Sequence, residues 1–95
     1  MMKKDQILHL IRRACQDQRL NVWHLATYHA LIELYAQSET AGDFYISRKK
    51  VMRLARISGL ITYHKYIGEL QTLGYIVYTP SYHPKMGSKI QLLSE

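Results

Sequence analysis

The stretch SRKKVMRLARISGLITYHKYIGELQTLGYIVYT, Ser47–Thr79, carries the pattern from which the rest of the chain can be read. Ser47 is a residue type that caps helix N-termini, and it predicts a helix over Arg48–Ile57. Val51, Met52, Leu54 and Ala55 fall on one side of that helix. Lys49, Lys50, Arg53 and Arg56 fall on the opposite arc, at about 100° per residue. Ser58-Gly59 breaks it, and the glycine is expected to supply a left-handed turn. Thr62 is then expected to cap a further helix through Leu73, ended by Gly74. Tyr63, Ile67, Leu70 and Gly74 recur at i, i+4, i+7 and i+11, with Tyr66 and Leu73 beside them, so this is the inward side. Tyr75–Thr79 is dense in β-branched and aromatic residues and reads as a strand.

On the C-terminal side, Pro80–Gly87 is a loop punctuated by Pro84, and Ser88–Leu93 is a second strand with Ile90 and Leu92 alternating. On the N-terminal side, Phe44-Tyr45-Ile46 is a short extended run, preceded by a loop over Ser38–Asp43. A helix over about Lys4–Gln18 is expected to turn Ile7, Leu8, Ile11, Ala14 and Cys15 inward. Asn21 caps the next, which runs to about Ser38. Trp23, Leu25, Ala26, Tyr28, Ala30, Leu31, Ile32, Leu34, Tyr35 and Ala36 nearly encircle it, as befits a helix buried at the centre or shared with a second subunit. Trp23, Ala30, Leu31 and Leu34 exceed what one small domain easily covers. Either the first helix covers them, or a homodimer forms through the N-terminal helices.

The order helix, tight turn, helix, hairpin is that of the winged helix-turn-helix. The run Ile46-Ser47, Leu54-Ala55, Ser58-Gly59, Thr62–Ile67, Leu70 and Leu73–Ile76 resembles the winged-helix regulators of bacteria and phages. Tyr78–Ser88 is similar to the wing segment of small proteins from Bacteroides-type mobile elements. The likeness spans about half the chain, Phe44–Leu93, and Gly68 and Glu69 depart from it where relatives carry basic or long polar residues. It implies an α+β winged helix-turn-helix domain over residues 1–95, with residues 1–20 as an N-terminal helical extension. It also implies double-stranded DNA as partner, bound by a transcriptional regulator or a mobile-element accessory factor. A protein-interaction winged helix in a larger complex and a replication-initiator fragment are the alternatives.

Charge agrees with an anionic partner. The chain has 95 residues and a net charge of +6. Up to Ser47, five bases face five acids, whereas from Arg48 onward eight bases face two acids, so the whole excess lies in the second half. Arg48, Lys49 and Lys50 crowd the first turn of their helix, where the macrodipole favours acids and repels cations. A DNA phosphate there would turn a small penalty into binding.

On the following helix the outward set is Ile61, Thr62, His64, Lys65 and Gly68. Lys65 can donate to guanine O6 and N7, and Thr62 or His64 can reach a base or a phosphate. Gly68 either lets the backbone approach the groove or packs closely against another helix. In the loop and strand beyond, Lys85 and Lys89 suit a phosphate backbone, while Tyr82 suits a fold back onto the core. The DNA-facing set is therefore Ser47, Arg48, Lys49, Lys50, Arg53, Thr62, His64, Lys65, Gly68, Lys85 and Lys89.

Other chemistries lack their signatures. His9, His24, His29, His64 and His83 show no metal-binding spacing, and one cysteine supplies no zinc pair or disulfide. There is no Gly-rich phosphate loop and no paired carboxylate, so neither catalysis nor a cofactor is expected. Cys15 is expected on an apolar face and inert, and His29 in the core or an interface. The basic start is polar-interrupted and reads as no secretory signal, and no apolar run spans a bilayer, so the expected location is cytoplasmic.

Overall fold

The computed structural model describes residues 2–81 and 87–94. These form an α+β fold of α1 (Lys4–Gln16), α2 (Val22–Ser38), β1 (Phe44–Ile46), α3 (Arg48–Ala55), α4 (Leu60–Thr72), β2 (Ile76–Thr79) and β3 (Ser88–Leu92). The three strands make one antiparallel sheet in the order β1-β3-β2. Among the described residues no helix is long and apolar enough to cross a membrane.

α1 stops two residues short of Gln18. Asp17 turns to extended backbone there, and its carboxylate accepts from the Arg19 backbone N–H (3.0 Å), the Arg19 guanidinium (2.7 Å) and the Tyr75 hydroxyl (2.7 Å). The Arg19 side chain first, and Tyr75 after it, hold the Asp17 carboxyl well below the usual carboxylate range. Leu10 and Ala14 are the buried residues of α1, flanked by Ile7 and Ile11. Leu8 and Cys15 are exposed, contrary to expectation. Positions 7, 10, 11 and 14 define the narrowest apolar arc, and residues 8 and 15 lie beyond its edge.

α2 is the central helix, packed against α1, α3, α4 and β1. Asn21 caps it as expected, its side chain accepting from the Trp23 (2.8 Å) and His24 (3.2 Å) N–H groups. Ala30, Leu31 and Leu34 are buried by the chain itself, which removes them as grounds for a second subunit. Trp23 stays on the surface, and its ring stacks beside Tyr66. His29 is also exposed rather than in the core: it shares a solvent arc with Glu33, four residues on.

The α3–α4 corner departs from the sequence reading. The left-handed residue is Arg56 (φ 61°), not Gly59. Ile57 donates to the Met52 carbonyl (2.9 Å) and is buried, so α3 closes at Ala55 through a hydrogen-bonded, apolar C-cap. α4 then starts at Leu60, because extended Gly59 presents its carbonyl to the Tyr63 N–H (3.1 Å). Thr62 therefore lies inside the first turn and caps nothing. Leu54, expected on the apolar side of α3, is 42% exposed.

At the other end of α4, Gly74 takes φ 87° and the Tyr75 N–H reaches back to the Leu70 carbonyl (2.9 Å). This turn delays β2 to Ile76. Phe44, Ile46, Ile76, Ile90 and Leu92 point from the sheet into the core, which also takes Tyr63, Ile67 and Leu70 from α4. Arg13 ties α1 to the far end of the chain. Its guanidinium donates to the carbonyls of Gly74 (3.1 Å) and Leu93 (3.3 Å) and lies 4.1 Å over the Tyr75 ring.

Candidate nucleic-acid interface

Ser47 caps α3 as the sequence implies, its hydroxyl accepting from the Lys50 N–H at 3.4 Å. Arg48, Lys49 and Lys50 follow at once and are all exposed, with no acidic residue in that turn. They form one wall of an open groove of about 790 Å³. Tyr63 and His64 at the start of α4 also line it, as do Tyr78 and Ser88 at the base of the β2–β3 hairpin. No Asp or Glu lines this groove among the described residues. The fold thus brings Ser47, Arg48, Lys49, Lys50 and His64 to one place.

Gly87 shapes the hairpin side. Its φ of 72° favours glycine, and a Cβ there would collide with the Ile46 carbonyl. The hairpin base can lie against β1 only with glycine at this position.

The remaining expected residues spread over adjoining surface. Arg53 is exposed one turn beyond Lys49, at the helix end where the dipole favours a cation. Ile61, Lys65, Gly68 and Thr72 are all exposed and recur along the outer stripe of α4. Lys65 leans over the Tyr66 ring, its Nζ 5.2 Å from the centroid. Thr62 is half-buried. Lys89 is already partnered, its ammonium 3.7 Å from the Asp43 carboxylate. Lys85, and with it Tyr82, lies outside the described residues.

Among the described residues Gly68 packs against no other element: a Cβ there would meet no atom beyond its own helix within 4 Å. The close-packing explanation for this glycine is removed. Gly68→Ala is therefore expected to raise stability by roughly 1 kcal/mol in urea denaturation, the helix-propensity difference between the two residues. A lower stability would show that the outer face of α4 is covered after all. If bare backbone there approaches DNA, the more stable variant binds duplex more weakly.

No family model, curated protein or solved structure matches this chain.

One contact that orients α4 is invisible in the sequence pattern. His24 is buried at the start of α2, and its Nδ1 accepts from the Asn21 backbone N–H (2.9 Å). Nε2 therefore carries the proton and donates to Glu69 Oε1 (2.7 Å) on α4. The Tyr66 ring meets His24 edge-on at 4.7 Å, and the Tyr66 hydroxyl accepts from the Asn21 amide (3.3 Å). Glu69 thus turns toward α2 rather than the outer stripe, which keeps a negative charge off the cationic face. At the other end of α4, Gln71 Oε1 accepts from the Tyr78 N–H (2.7 Å) and fastens the helix to β2.

Proposed function

We propose that this chain is a winged helix-turn-helix protein that binds double-stranded DNA, as a transcriptional regulator or mobile-element accessory factor. In this reading α4 enters the major groove and the β2–β3 hairpin lies along the phosphate backbone. The observation that carries it is the acid-free cationic groove where the first turn of α3 meets the start of α4. Three bases at a helix N-terminus disfavour one another and the dipole, and a polyanion is the partner that relieves both. The order of α3, turn, α4 and hairpin, and the exposed stripe Ile61–Lys65–Gly68, support the same reading.

A second reading, a protein-interaction module within a larger complex, draws on Leu54, Leu60 and Ile61. All three are exposed at the α3–α4 corner, Ile61 to 88%. Retention on duplex DNA separates the two readings. The protein is expected to bind calf-thymus DNA on a column at about 50 mM salt and to elute as salt rises several-fold, since each neutralised phosphate releases counterions. Passage through the column even at low salt would reject the DNA reading in favour of the protein partner.

A further inference from the structure

We infer that the groove between α3, α4 and the hairpin base seats one backbone phosphodiester of the bound nucleic acid, with the Tyr63 hydroxyl and the Arg48 and Lys49 backbone N–H groups as its hydrogen-bond donors. This rests on the DNA reading and adds a defined seat to it.

Tyr63 is the decisive residue. It is 1% exposed, and it lines the groove. Its hydroxyl makes no hydrogen bond among the described residues, whereas that of Tyr78 alongside meets Ser88 Oγ at 3.2 Å. The ring is enclosed while the hydroxyl reaches the groove surface, the fully buried unpartnered hydroxyl among the described residues being that of Tyr28. An acceptor that enters the groove meets this free donor. Burial pushes the phenol up to about 12, so it keeps its proton and acts as a donor throughout the neutral range.

The opposite wall supplies matching donors. The N–H groups of Arg48 and Lys49 have no intrahelical acceptor, because they open α3, while those of Lys50 and Val51 are held by Ser47. Orphan N–H groups at a helix start, a proton-bearing phenol, nearby cations and no lining carboxylate among the described residues together select a phosphate oxygen. The groove is open, and the outer stripe of α4 continues beside it. A phosphate that is part of a strand can therefore occupy it while neighbouring nucleotides run past α4.

The test is Tyr63→Phe, with fluorescence anisotropy on a duplex across a salt series. Loss of one hydrogen bond to a charged oxygen is expected to weaken binding roughly ten-fold. The slope of log affinity against log salt should stay unchanged, because a neutral hydroxyl displaces no counterion. Lys49→Ala should instead lower the slope by about one unit. Unchanged affinity in a variant that keeps the wild-type thermal midpoint overturns the seat and leaves DNA binding standing. Should the wild type bind no duplex, the DNA reading fails by itself, and amide chemical shifts with inorganic phosphate decide the seat. Shifts of the Arg48 and Lys49 amides in wild type but not in Tyr63→Phe would keep an anion site for a free phosphate group. No shift would remove it.

Discussion

Leu70→Ala is expected to lower the unfolding free energy by about 2–5 kcal/mol, the range for removing a leucine from a packed core. Leu70 is completely buried in the inner stripe of α4 with Tyr63 and Ile67, and that stripe packs in one cluster with α2 and the sheet. A domain of this size has on the order of 5–14 kcal/mol in all, so the variant loses a large fraction of its stability. Leu54→Ala is the informative comparison. Both leucines sit on an apolar helical arc in the sequence, yet Leu54 is 42% exposed and its truncation should cost within about 0.5 kcal/mol. Urea melts of the two variants read the difference directly. Equal losses would contradict the packing of α3 and α4 described above.

That contrast shows what the sequence made legible. Asn21 and Ser47 mark the starts of α2 and α3 because a cap is a local hydrogen bond, made within three residues. Gly74 marks the end of α4 for the same reason, and the alternation of Ile90 and Leu92 places β3 because one face of the sheet is buried. Gly59 misled because a glycine permits a left-handed turn without requiring one. A buried Ile57 and two available carbonyls were enough to hold Arg56 in that conformation. Thr62 misled because an N-cap needs extended backbone, and Gly59 supplied it three residues earlier.

The misses at the candidate site share a different cause. His24–Glu69, Asp43–Lys89 and Arg13 with Gly74 join residues 45, 46 and 61 positions apart. Periodicity within one element carries no information about such partners. They nevertheless decide which charges face outward: Glu69 is drawn toward His24 and Lys89 leans toward Asp43. Arg48, Lys49 and Lys50 were legible because composition and helix polarity suffice to find them. Tyr63 was legible only in part. A helical wheel assigns its ring to the core, correctly, but is silent about a hydroxyl at the end of that ring.

Lysine substitutions are expected to divide into two classes if α4 and the first turn of α3 bind duplex as proposed. Lys49→Ala and Lys50→Ala remove cations that lie beside the groove, where a phosphate carries no sequence information. Each should weaken binding to specific and scrambled duplexes alike and lower the salt slope by about one unit. Lys65 stands on the outer stripe of α4, which the proposed docking turns toward base edges, and its ammonium leans toward Tyr66 in the free protein. Lys65→Ala should cost on the order of 1–3 kcal/mol at the preferred site and relax specificity there, with a smaller effect on scrambled DNA. Lys89→Ala should fall below both, because the ammonium is turned toward Asp43 rather than toward the groove. Arg12→Ala removes an exposed cation from α1, which lines a separate surface, and serves as the control for net charge alone. Fluorescence anisotropy on both duplexes across a salt series resolves affinity, specificity and slope together. If Arg12→Ala changes the slope as much as Lys49→Ala does, binding follows total charge rather than this face, and the assignment of α3 and α4 to DNA is wrong.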